Sequence, residues 1–207
     1  MTSLHHLLAP FGGQELIEWF TDLNDLWHDT SPIKPKDISS PKGLTQWVHY
    51  KNFVVWHLEE YIRKPGVSAE ESVKVNKTID LHNTRRLEAI EQIDIWIENV
   101  LQSAGIAPDK DLEVNSETPG SIIDRLSILT LKVNHMMDQL AKACTKKAKR
   151  SDLELRIHVI EDQRSDLAAA LDKLLLDLCQ AKKRHAVYRQ FKIYNDPSFH
   201  ADDFSHH

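Results

Sequence analysis

The stretch Thr118-Pro119-Gly120-Ser121-Ile122-Ile123-Asp124-Arg125-Leu126-Ser127-Ile128-Leu129-Thr130-Leu131-Lys132-Val133-Asn134-His135-Met136-Met137-Asp138-Gln139-Leu140 decides the fold. Ile122, Leu126, Leu129, Val133, Met136 and Leu140 recur at alternating spacings of four and three, which puts them on one face of an α-helix. Thr118 supplies an N-cap and Pro119 an N1 proline, whose missing N–H costs nothing at a helix start. A helix with one apolar stripe must bury it against others of its kind.

Its neighbours read the same way. Upstream, Ser68-Ala69-Glu70-Glu71 is a capping box. It opens a seam of Val73, Ile79, Leu87, Ile90, Ile93, Ile97, Val100 and Leu101 that ends at Gly105, with Pro108 beyond. Before it, Leu44 to Lys64 carries Trp47, Val48, Val54, Val55, Leu58, Tyr61 and Ile62 and stops at Pro65-Gly66. Downstream, Leu153, Ile157, Ile160, Leu167, Leu171, Leu174 and Leu178 form a last seam. Ser151-x-x-Glu154 reads as a second capping box after the basic run Lys146–Arg150, which predicts a break at Ser151. Residues 14–28 form one more amphipathic helix, cut off by Pro32, Pro35 and Pro41 in a linker from Thr30 to Gly43. The expected fold is all-α: an antiparallel bundle of about four long helices over 44–197. A helix and Pro-rich linker over 1–43 precede it, and a flexible tail over 198–207 follows. The N-terminal helix, with Trp19, Phe20 and Trp27, is expected to dock on the bundle or on a second copy in a homodimer.

Composition narrows function. Twenty-six Lys and Arg against 31 Asp and Glu leave the 207-residue chain at −5, so no nucleic-acid partner is expected. No stretch approaches the ~20 apolar residues that span a bilayer; a cytoplasmic protein with no membrane insertion is expected. Cys144 and Cys179 form no Cys-x-x-Cys pair and read as reduced thiols. Of the twelve histidines, His5, His6, His206 and His207 sit at the ends. No P-loop, nucleophile elbow or Cys-His constellation is present.

Three sets of polar residues carry the candidate chemistry. Thr118, Gly120 and Ser121 start a helix whose free amides suit an anion, and Arg125, Lys132 and His135 continue the stripe. The plain alternative is an ordinary cap followed by interhelical ion pairs. On the preceding helix Asp80, Asn83, Glu91 and Asp94 share a face, and Glu88-x-x-Glu91-x-x-Asp94 aligns three carboxylates that could share Mg²⁺; a solvated, salt-bridged face is the competing reading. His57/Glu60 and His158/Glu161 are His-x-x-Glu pairs in an order reversed from di-iron bundles, so no metal ligand set is expected. Asn76, Asn83, Gln163 and Arg164 interrupt apolar seams, where each must pair or line a polar pocket.

Trp56-His57-x-Glu59-Glu60, Ile79-Asp80-x-x-Asn83-x-x-Arg86, Ile90-Glu91-x-Ile93-Asp94, the segment Glu117 to Leu129 with Lys132, His135 and Met136, and Gln190-Phe191-Lys192-x-Tyr194-Asn195-Asp196-Pro197 resemble a bacterial family of all-helical proteins classed as a domain of unknown function. The resemblance covers Leu44 to Pro197. It implies a setting beside glycosyltransferase and cell-envelope polysaccharide genes, and it assigns no catalytic residues, so catalytic residues and cofactors stay unknown.

Three functions follow as expectations. In the first, the bundle binds an anionic small molecule of phosphate or nucleotide-sugar type, held by Ser121 and backbone amides, neutralised by Arg125 and Lys132, with Asp80, Asn83 and Glu91 orienting those cations or meeting sugar hydroxyls. The alternatives are an Mg²⁺-dependent hydrolase of a phosphorylated substrate using Glu88, Glu91 and Asp94, and a structural adaptor whose polar seams set helix register.

Overall fold

In the computed structural model, which describes Leu8 and residues 11–106, 109–142 and 147–189, five helices form: α1 (Gly13–Asp29), α2 (Pro41–Ile62), α3 (Ala69–Ser103), α4 (Pro119–Lys142) and α5 (Lys147–Cys179). No strand forms among the described residues, so the all-α bundle expected from the periodicity is what folds. The capping signals act as the sequence implies. The Ser68 hydroxyl accepts from the Glu71 amide, and Gly105 takes the left-handed φ of +81° after α3.

Two boundaries differ. α2 starts at Pro41, not Leu44, because the Ser40 side chain accepts from the Gly43 amide and Pro41 occupies the first turn. α5 runs unbroken through Ser151. There Glu154 pairs with Arg150 and Asp152 with Arg156, each at 2.9 Å. These i, i+4 pairs support a helix interior, so the Ser151 capping box is not used. The predicted tail at 198–207, the segment Gln190 to Pro197 and Cys144 lie outside the described residues.

α4 is the hub, packing on each of the other four helices. α2 and α4 run in one direction, as His49/Ser127 and Trp56/His135 fix; α3 runs in the other, as Asp94/Gly120 and Arg86/Asp124 fix, and so does α5, just past whose end Arg184 bonds to Glu113 before α4. α1 docks parallel to α4, with Leu16, Ile17 and Phe20 in the same core cluster as Ile93, Ile97, Ile123, Leu126 and Leu171. The segment after it must therefore return the length of α1, roughly 25 Å at 1.5 Å per residue. The extended, proline-bearing chain at 31–40 has the reach.

A second cluster at the other end is aromatic: Leu23, Trp27, Tyr50, Phe53 and Leu131, edged by Trp19, Trp47, Val54 and Trp56. Among the described residues no helix is long and apolar enough to cross a membrane.

The start of α1 is tied to α5. The Gly13 amide donates to Asp172 Oδ1 at 2.8 Å, and a Cβ on Gly13 would lie 2.5 Å from the Ala168 carbonyl oxygen. Gly13→Ala should therefore lose ~1–3 kcal/mol of stability in urea unfolding, the usual cost of overpacking against backbone.

Candidate functional site

The start of α4 was the sequence's first candidate. Thr118 caps it, its Oγ1 accepting from the Ser121 amide at 3.1 Å. The free amide of Gly120 donates to Asp94 Oδ1 at 2.8 Å, so a carboxylate of α3 stands where an external anion would. A Cβ on Gly120 would be 2.7 Å from the Ile90 carbonyl oxygen and 2.9 Å from Asp94 Oδ1; the close approach that glycine permits is made by α3. Asp94 is 2% exposed. Burial pushes its carboxyl up to about 6, against the lowering effect of hydrogen bonds from Thr118 and Gly120 and of the nearby His185.

A concavity of about 340 Å³ lies over this helix start, and Glu91, Asp94, Glu117, Thr118, Ser121, Asp124 and Arg125 are in its wall. Arg125 Nη1 is bonded to Glu117 at 2.6 Å. Glu91 lies 3.8 Å from Arg189 and Glu88 3.0 Å from Arg85, so the three aligned carboxylates go to three separate partners. Of the other predicted residues, Asp80 is exposed on α3 and Asn83 half-buried. Lys132 and His135 sit roughly 17 and 21 Å further along α4 from Ser121, at 1.5 Å per residue. The predicted stripe is thus divided between the two ends of the bundle.

Between those ends runs a buried polar chain. Arg86 Nη1 donates to Asn52 Oδ1 at 2.7 Å, and Asn52 Nδ2 donates to Asp124 Oδ1 at 2.8 Å and to Ser127 Oγ at 2.9 Å. Ser127 Oγ lies 2.8 Å from His49 Nδ1, which closes the chain at a hydrogen bond. Burial holds His49 neutral, its pKa lowered to about 3. Ser127 and His49 are both fully buried, so the pair joins helices and reaches no substrate. Burial raises the Asp124 carboxyl and the Arg86 guanidinium lowers it, with the net shift upward.

Two further features lie toward the aromatic end. A cleft of about 440 Å³ opens between α2, α3 and α4, with Val55, Ile128 and Leu131 as its floor, the Trp56 indole beside them, and Asn52, Glu59, Glu60, Arg63 and Arg86 around it. Next to it His28, His57 and His135, from α1, α2 and α4, bring one ring nitrogen each to within 4.8 Å of the others. They are the only such group of metal-ligating side chains among the described residues. Burial lowers the His135 pKa. His158 pairs instead with Glu161 at 3.6 Å on an exposed face of α5, and Glu60 accepts from the Trp56 indole at 3.0 Å.

Sequence spacing did not connect His28 with the other two. A signal was there: each histidine falls in the C-terminal half of its helix, and α2 and α4 must be parallel in an up-and-down bundle, which places their C-terminal halves at one end.

The chain belongs to the DUF4254 family, proteins of unknown function, whose sequence profile matches residues 43–187. The match takes in α2 to α5, the cleft, His57 and His135, and leaves α1 with His28 outside. No curated protein and no solved structure matches the chain.

Asp94 supplies a pH test. Its folded pKa is raised, so its contribution to stability is fully present below the unfolded value near 4 and is lost as pH rises through about 6. The stability of Asp94→Asn relative to the natural chain should therefore grow by on the order of 2–3 kcal/mol from pH 4 to pH 7. Urea titrations at the two pH values measure that difference, in which titrating groups remote from Asp94 cancel.

Proposed function

We propose that the protein binds a small molecule of sugar-phosphate or nucleotide-sugar type in the cleft between α2, α3 and α4. The cleft itself carries the reading: its volume of about 440 Å³ falls in the range of small-molecule sites, and an apolar floor with a few convergent polar groups is what such sites present. The Trp56 face suits the C–H face of a sugar ring, while Glu59 and Glu60 can meet hydroxyls. Arg63 and Arg86 supply the charge for a phosphate. Arg63 pairs only with exposed Glu59, both side chains more than a third exposed, and such a pair is weak enough to open for a ligand.

The anion site read from Thr118, Gly120, Ser121 and Arg125 has less support. An anion there would have to displace Asp94 and would face Glu91, Glu117 and Asp124 as well. An Mg²⁺-dependent hydrolase also has less support, since Glu88, Glu91 and Asp94 point to separate partners. The envelope-polysaccharide setting that the family resemblance implies agrees with a sugar-bearing ligand.

Calorimetry with glucose 1-phosphate, UDP and UDP-glucose should show binding of at least one of them. Arg63→Ala should weaken it by about 10–100-fold, the size of a charge-assisted hydrogen bond. No binding, or equal binding by Arg63→Ala, would overturn the assignment.

A further inference from the structure

We propose that His28, His57 and His135 form a site for one divalent transition-metal ion of the zinc class, held by three imidazole nitrogens with a fourth position left to solvent or to a ligand. The inference stands apart from the cleft's ligand, because it rests on the rings alone.

Each ring is fixed by the same contact. Nδ1 of His28 lies 2.7 Å from the Asn24 carbonyl oxygen, Nδ1 of His57 2.8 Å from that of Phe53, and Nδ1 of His135 2.9 Å from that of Leu131. A carbonyl only accepts, so each Nδ1 carries the proton, and each neutral ring is left with its lone pair on Nε2. Orientation of a ligand histidine by a backbone carbonyl on the second nitrogen is the common arrangement around protein metals. Here it is made three times, from three helices.

The lone pairs then converge. Nε2 of His28 and Nε2 of His135 are 3.4 Å apart, two acceptors facing each other with no proton between them. The separation of 3.4 Å lies at the outer limit of hydrogen-bond reach. It matches one edge of a tetrahedron around zinc, since Zn–N bonds of ~2.0–2.1 Å put ligand nitrogens roughly 3.3–3.4 Å apart, and the three ring nitrogens together lie within 4.8 Å of one another. The three ring centroids stand at 4.9, 5.1 and 5.2 Å from one another, close to an equilateral triangle. A cation at the centre of that triangle turns a repulsive arrangement into an attractive one.

The surroundings select the class of ion. Three neutral nitrogens with no carboxylate among them suit zinc, cobalt or nickel and not Mg²⁺ or Ca²⁺, which require oxygen. The Phe53 ring packs 4.3 Å from that of His57 and Trp56 4.7 Å from that of His135, an aromatic shell on the bundle side. His135 is buried and His28 exposed, so the open side is the solvent edge. Trp56 also lines the cleft, so a metal here would stand at its border.

The test uses the full chain with His5, His6, His200, His206 and His207 replaced by Ala in every sample, which removes the histidines of both termini. After metal is stripped, Zn²⁺ titrated in a calorimeter should bind at one ion per chain and raise the Tm. Co²⁺ should give the intense visible absorption of a four-coordinate ion. His28→Ala and His57→Ala should each weaken Zn²⁺ binding by at least ~100-fold, the upper end of what loss of a mere supporting contact does; His158→Ala should leave it unchanged. His28 is exposed, so its variant keeps the fold, as an unchanged circular dichroism spectrum would verify. The proposal fails if the folded chain binds no Zn²⁺, if His28→Ala and His57→Ala bind it as tightly as the parent, or if bound Co²⁺ shows only the weak octahedral spectrum.

Discussion

The amide of Gly120 can be satisfied by Asp94 only because no side chain stands between α4 and α3 at that point. On that contact depends the axial position of α4, and α4 is the helix on which each of the others packs. A helix start leaves amides that must find acceptors, and the chain meets the requirement with a carboxylate from a neighbouring helix. It does so twice, since Asp172 holds the Gly13 amide in the same manner. In both places a glycine and an aspartate, remote in sequence, set where one helix begins along another, a matter that hydrophobic packing alone leaves loose.

The same economy governs the buried polar chain. Arg86, Asn52, Asp124, Ser127 and His49 would each be costly in a core if unpaired. Linked, they fix α2 and α3 against α4 in one register. The chain of bonds also divides the molecule by chemistry. On one side lies the helix start with its carboxylates, and on the other the aromatic end with the cleft and three imidazoles. The small net charge of −5 conceals this separation, because a sum over the whole chain says nothing of which end carries the carboxylates and which the imidazoles.

How much of this could be read from the sequence depends on range. Elements set by neighbours a few residues apart were legible: the 4,3 seam from Ile122 to Leu140, the Ser68 box, the Gly105 stop. Ser40-Pro41 was hidden by the prolines around it, which made a helix start look like more linker. At Ser151 a local signal was present and overruled, because the pairs Arg150/Glu154 and Asp152/Arg156 stabilise a continuous helix. The polar positions Glu91, Thr118, Gly120, Ser121 and Arg125 were singled out, and they do come together. What spacing could not give was the partner of Gly120, since Asp94 was counted among metal-ligating carboxylates. The grouping of His28, His57 and His135 depends on three helices lying side by side, and nothing within one helix encodes it.

α1 has a further consequence in time. It is the first of the five helices to leave the ribosome, yet its berth is built chiefly from α4 and α5, and its anchoring contact joins Gly13 to Asp172 across 159 residues. Until those helices are made, Phe20 and Trp27 can meet only the His49, Tyr50 and Phe53 rings of α2, and the rest of their core is missing. Contacts of such separation close slowly because loop entropy must be met first. The order of synthesis and the order of assembly are therefore opposite at this end: the segment made first is the one placed last. His28 reaches His57 and His135 only in that final step, so the trio exists on finished molecules alone and never on a growing chain.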